Sequence, residues 1–406
     1  MELHKLTPAD RESIIQPLRA GVVPMQGLEL FQVGRDEEVE SLKSQLTAVT
    51  NGASCCRFIV GEYGAGKTFL LQTIKSMAHK QELVTVTTDL SRTKRLSGGK
   101  SQTRAYYSAL IRSMSTQATP LGQALPRVVK RFVMHSLRQA NQNDRSPAAE
   151  IAERLKIFEE MACGFDFIQV IQAYWTALDT DNTALHDASL RWIRGEYLTK
   201  ALAKKELGVC SIIDDNNCFD CLKMMAQFVK LSGFSGLVVL TDELGSVYNI
   251  RDKRARLNNF DAILNIVNES WLGVSPNIGY FFFTTPELFT DKKRGIQEHP
   301  ALSSRLTENR FSSDTLRDWT SPVMRLTSFT DANISQLFAN LLFIFCIGKH
   351  ENLTLYKDDL SEVIGLLKTM LNESYYKNPR NTIKSFLDFL AIRECNPTAS
   401  TADFSA

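Results

Sequence analysis

The chain reads as an α/β fold: a parallel five-stranded sheet with helices on both faces, a long helical insertion, and a helical lid at the carboxyl end. Three observations predict it. Short apolar runs at Arg57–Gly61, Leu83–Thr88, Gly236–Thr241, Ile278–Thr284 and Val323–Ser328 alternate with stretches of helical periodicity, and that alternation makes parallel sheets. From about residue 104 to 231 the pattern is helical only, punctuated by Pro120, Pro126 and Pro147. After Thr330 only helices are suggested.

Taken in order, Pro8–Gln16 opens the chain as a helix, followed by the turn-forming Gly21-Val-Val-Pro24. Val39, Leu42, Leu46 and Val49 recur at helical spacing until Asn51-Gly52 stops them. Arg57–Gly61 is a central strand, and Thr68–Lys80 the helix after it. Leu83–Thr88, rich in Val and Thr, is a second strand. Gly236–Thr241 is apolar on both faces, as a buried parallel strand must be. A helix at Arg254–Ser270, a strand at Ile278–Thr284, a helical segment at Pro300–Leu306 and a strand at Val323–Ser328 complete the sheet. Helices at Ala332–Cys346, Asp358–Tyr375 and Arg380–Arg393 form the lid. The expected organisation is a helical extension at 1–32, an α/β core at 33–329 with its insertion at about 104–231, a lid at 330–395 and a disordered tail at 396–406.

Bulk properties exclude several classes. The 406 residues suit two or three domains, and 44% hydrophobic with 23% charged residues is ordinary for a globular chain. A net charge of +2 leaves polyanion binding to local patches. The polar start, Met1–Glu12, is no signal peptide. Leu337–Ile347 is about half the length of a spanning helix, so the chain is read as cytoplasmic, without membrane contact. Eight cysteines do not imply a disulfide framework. Cys218 and Cys221 have C-x-x-C spacing with Cys210 nearby, but a zinc site lacks its fourth ligand, so they are read as reduced thiols.

The chemistry concentrates in two segments. Gly61-Glu62-Tyr63-Gly64-Ala65-Gly66-Lys67-Thr68, followed by Phe69, fits G-x-x-x-x-G-K-[ST] between a strand and a helix. The glycines let backbone N–H groups turn inward onto phosphate oxygens, and the helix presents its positive end to the same anion. Lys67 supplies a full charge, and the Thr68 hydroxyl can ligate Mg²⁺. The second segment, Leu237 to Glu243, carries two carboxylates to the carboxyl edge of the sheet. Asp242 is the candidate Mg²⁺ holder, and Glu243 the base that activates water. The expected cofactors are therefore ATP and Mg²⁺.

With these segments the chain resembles the AAA+ superfamily of P-loop NTPases over residues 30–395. The resemblance implies further roles. Val33 and Arg35, in Val33-Gly34-Arg35-Asp36, would lie near the adenine; the other reading of Arg35 is a pair with a nearby acid. Thr284 or Thr285 would be the polar sensor of the γ-phosphate. Arg305, in Ser303-Ser304-Arg305-Leu306, would be the finger acting on a neighbour's ATP, which implies a homo-oligomer with shared sites. Arg380, in Asn378-Pro379-Arg380, would report nucleotide to the lid. A narrower resemblance, carried by Leu18-Arg19-Ala20-Gly21, Gly27-Leu28, Val33–Asp36 and Gly61–Gly64, is to the ATP-binding proteins of BREX-type phage-defence systems. It implies an anti-phage defence complex with a helicase partner. No winged-helix domain follows the lid, which puts an autonomous DNA reader in doubt.

Short basic clusters at Arg92–Arg95, Arg251–Arg256 and Asp291–Arg294 are solvated faces or DNA phosphate contacts. The leading expectation is a motor or switch ATPase acting with a partner on DNA. A nucleotide-dependent assembly scaffold with little turnover is the alternative, which would not need Glu243. A P-loop kinase fits less well, given Arg305, Arg380 and the long insertion.

Overall fold

The computed structural model describes residues 6–313, 316–348, 363–367 and 378–396. Its sheet holds five parallel strands: β1 (Ser54–Val60), β2 (Val84–Asp89), β3 (Leu237–Asp242), β4 (Ile278–Thr284) and β5 (Val323–Arg325), in the order β2-β3-β4-β1-β5. The central strands form because their residues are apolar without alternation. All seven residues of β4 are buried, Phe281, Phe282 and Phe283 fully, each worth roughly 2–3 kcal/mol of burial. β3 pairs in register with β2, Asp89 beside Asp242, and with β4, Thr241 beside Phe282.

The expected strand at Val323–Ser328 is shorter: β5 stops at Arg325. Leu326 N–H still donates to Val60 O at 2.8 Å, and Thr327 O accepts from the Arg35 guanidinium at 2.7 Å. β5 lies at the sheet edge, paired on one side only.

Contacts divide the chain into two compact units, Met1–Ser41 with Val60–Ile74 and Met324–Ala406, and Leu42–Ile59 with Lys75–Val323. The first unit is built on helix α1 (Pro8–Arg19), closed at its start by a reciprocal Thr7–Asp10 capping box. Helix α2 (Asp36–Thr50) begins in this unit, as does α3 (Lys67–Lys80). Ile14, Leu18 and Phe31 share one buried core with Leu337, Phe338 and Leu341 and with Phe386 and Leu390. Phe338 and Phe386 stack with ring centres 4.0 Å apart. The segment read as an N-terminal extension and the helices read as a lid thus share a core. The helix expected at Asp358–Tyr375 lies outside the described residues except at 363–367, as does the tail beyond Asn396.

The second unit holds most of the sheet and the insertion, seven α-helices: α4 (Gln102–Arg112), α5 (Leu125–Gln142), α6 (Pro147–Leu155), α7 (Gly164–Asp179), α8 (Thr183–Ile193), α9 (Lys200–Leu207) and α10 (Cys218–Leu231). α4 packs on β2 and α10 on β3. Phe132, Phe167, Phe228 and Trp192 form the aromatic centre of the insertion, with Phe132–Phe228 and Phe167–Phe228 ring centres 5.0 and 5.2 Å apart. Cys218 and Cys221 are buried on α10. After β3 come α11 (Lys253–Leu272), capped by Asp252 and ended by Gly273, then α12 (Glu287–Thr290) and α13 (Pro300–Arg305). α14 (Asp331–Phe345) and α15 (Pro379–Cys395) belong to the first unit. Leu337–Ile347, read as a buried helix, is α14 and the turn after it. Among the described residues no helix is long and apolar enough to cross a membrane.

Candidate nucleotide site

In the first unit, residues 61–66 leave β1 and turn into α3. Gly64 and Gly66 take φ of 80° and 97°, which only glycine adopts without strain. Gly64 has a second reason to lack a side chain: a Cβ there would lie 2.3 Å from the Asn378 amide. The Lys67 ammonium curls back over the loop, donating to Gly61 O at 2.7 Å and Glu62 O at 2.9 Å. Thr68, in the first turn of α3, is exposed. Phe69 faces the other way, half-buried against the helical core with its ring 5.6 Å from that of Phe31.

Two groups brace this loop. Arg35, 3% exposed, pairs with Glu38 at 3.0 Å, donates to Ala65 O at 3.2 Å and to Thr327 O at 2.7 Å, and sits 5.2 Å from the centre of the Phe329 ring. Of the two readings of Arg35, the structure displays the acid pairing. Val33, also expected near nucleotide, is buried in the helical core. From the far end of the chain, Asn378 caps α15 and donates to Tyr63 O at 2.7 Å. Arg380 donates to the Tyr63 hydroxyl at 2.7 Å, with its guanidinium 5.6 Å from the ring centre.

The second unit holds the remaining candidates. Asp242 ends β3 half-buried, and Glu243 follows it exposed. Glu243 sits in the left-handed region, φ 55° and ψ 37°, its N–H donating to Asp242 Oδ1 at 2.8 Å. A non-glycine residue there costs about 1–2 kcal/mol, and the turn it makes leaves the carboxylate in solvent. Thr284, fully buried at the end of β4, donates from its hydroxyl to Thr285 O at 3.3 Å. Gly245 lies close to both hydroxyls: a Cβ there would be 3.4 Å from Thr285 Oγ1 and 3.5 Å from Thr284 Oγ1. Arg305 ends α13 exposed and donates to Asn268 Oδ1 at 3.2 Å.

Three supporting residues escaped the sequence reading. Glu38 could have been found, one helical turn from Arg35 and acidic at a helix start. Tyr106, whose hydroxyl bonds Thr241 Oγ1 at 2.8 Å behind the acidic pair, and Gly245 carry no local signal.

A parallel sheet in which a Gly-rich loop leaves one strand for a helix, with an acidic pair ending another strand, defines the P-loop NTPase class of α/β proteins. Within that class, the chain belongs to the family of BREX system ATP-binding proteins BrxC/D, whose model matches residues 6–405. Membership carries ATP binding and a place in a BREX phage-defence system, as the resemblance of residues 18–64 implied. No curated protein and no solved structure is found to match the chain.

Proposed function

We propose that the chain hydrolyses ATP, and that it works as a motor or switch within its defence complex. The observation that carries this reading is a complete phosphate loop on one strand of a parallel sheet, together with Asp242-Glu243 ending another. In this reading backbone N–H groups of residues 61–66 and Lys67 hold the β- and γ-phosphates. Lys67 exchanges its bonds to Gly61 O and Glu62 O for phosphate oxygens, a stronger, charge-assisted set. Thr68 and Asp242 offer a hydroxyl and a carboxylate, hard oxygen donors of the kind Mg²⁺ takes when phosphate and water complete its shell. When bound, that ion would neutralise charge on the phosphates.

Glu243, on its solvent-facing turn, is the group left to orient and deprotonate water. Thr284 or Thr285 reads the γ-phosphate. Arg305, exposed at a helix end, is the finger offered to a second copy of the chain, so activity requires assembly. Arg380 reports nucleotide through the lid. A helicase partner and work on DNA extend this reading.

The test is phosphate release by the wild type and by Glu243→Gln. Turnover should fall by about 10²–10⁴-fold with ATP binding kept. Unchanged turnover would remove Glu243 as the base. Mixing Arg305→Ala with Lys67→Ala protomers should restore part of the activity, and no restoration would refute a shared site.

A further inference from the structure

The basic clusters singled out in the sequence are paired in part in the fold. Lys94 pairs with Asp89 at 2.5 Å, and Glu298 takes both Arg256 at 2.7 Å and Lys253 at 3.2 Å. Asp291 caps its own cluster, accepting from the N–H groups of Lys293 and Arg294. The insertion contains the opposite case. Helix α5 has 18 residues and no Asp or Glu among them. It is strongly amphipathic: Val128, Val129, Phe132, Val133, Ser136 and Ala140 are buried, while Arg127, Lys130, Arg131 and Arg138 are exposed. Those four cations recur at helical spacing, so they share one face.

Among the described residues no carboxylate stands within ion-pair distance of any of the four. Arg131 is held in place without being neutralised, donating to Gly233 O at 2.6 Å and lying 4.2 Å from the centre of the Phe234 ring. His135, on the same helix, responds to the field. Partial burial first, then the Arg154, Arg138 and Arg131 cations, hold its imidazole below the usual histidine value.

We propose that the exposed face of α5 is a nucleic-acid backbone contact. Arg127 to Arg138 spans about 16 Å at a rise of ~1.5 Å per residue. That length of duplex carries about ten phosphate charges. Met134 is the only large apolar side chain the helix exposes. Protein interfaces are built around buried apolar and aromatic anchors and shed charge at their centre, so the face fits a polyanionic strand rather than an acidic protein. It has no aromatic side chain for stacking, and its readout is of phosphate, without sequence preference. This sharpens the DNA part of the functional reading and does not depend on the ATPase part.

The experiment uses the full chain and a short fluorescent DNA duplex of arbitrary sequence, with anisotropy read across a salt series. Four phosphate contacts predict a log–log salt slope of about −3.6. Lys130→Glu with Arg138→Glu should weaken binding at least tenfold at low salt and flatten the slope by about 2, with ATP affinity unchanged. Lys130→Gln with Arg138→Gln should give a smaller loss in the same direction. Lys253→Glu with Arg254→Glu, the sequence-read cluster, should leave affinity within about twofold. The proposal is overturned if both α5 variants bind like wild type, if wild type binds without salt dependence, or if it ignores DNA and takes poly-glutamate. Loss of ATP affinity in Lys67→Ala with DNA binding intact would keep the two readings separate.

Discussion

The phosphate loop and the acidic edge of the sheet are held in different ways. The loop is held by side chains: Arg35 and Glu38 buried beneath it, and Asn378 and Arg380 on Tyr63. The acidic edge is held by backbone. Strand pairing places Asp242, and a left-handed turn places Glu243, whose side chain stands in solvent. Substitutions around the loop therefore remove side-chain contacts of the loop, whereas at the edge they act on one exposed turn and the Asp242 carboxylate that accepts from it.

The comparison can be sharpened from the largest effect down. Lys67→Ala removes the ammonium proposed to meet the phosphates, and ATP affinity should fall about a thousandfold, roughly 4 kcal/mol, by calorimetric titration. Arg35→Ala removes the buried ion pair to Glu38 and the donor to Ala65 O. The expected cost is about 3 kcal/mol, read from urea unfolding. An unfolding free energy equal to wild type would show that the buried pair does not brace the loop.

A third prediction concerns acid. His79 is buried, and that burial, with the Lys75 cation, brings it from the usual 6.5 down to about 4. It is neutral in the fold, bonded to Thr85 Oγ1 at 3.0 Å. Between these two values the unfolded chain binds more protons than the folded one, so stability rises with pH across that window. The Tm should drop as pH falls from about 6.5 toward 4, and His79→Gln should lessen the drop. The smallest effect belongs to Tyr63→Phe. Tyr63 is 71% exposed, so loss of the hydroxyl that Arg380 meets should cost about 0.5–1 kcal/mol, seen as coupling in a Tyr63/Arg380 double-mutant cycle on ATP affinity.

What the sequence disclosed follows the range of each interaction. β4 is seven consecutive buried residues and was legible to the residue, and the turn from β1 into a helix at residues 61–68 could be read from eight consecutive ones. β5 was overextended because an edge strand paired on one side only carries no local signal for its end. The Tyr63–Arg380 contact spans 317 residues and left no local trace, although each residue was named for its own motif. The insertion was seen as helical, but its basic face appears only when Arg127, Lys130, Arg131 and Arg138 are placed on one helix. In the contiguous clusters part of the charge meets partners that lie elsewhere in the chain, Glu298 above all.

The central claim is that Thr68 and Asp242 serve one metal-bound triphosphate, and the Mg²⁺ increment in ATP affinity tests it most directly. Affinity is measured with and without Mg²⁺ for the wild type, Thr68→Ala, Asp242→Asn and the double variant. The account predicts that Mg²⁺ tightens the wild type, that each single variant loses most of that gain, and that the double variant loses no more than either. A full Mg²⁺ gain in Asp242→Asn, or losses that simply add, would contradict it.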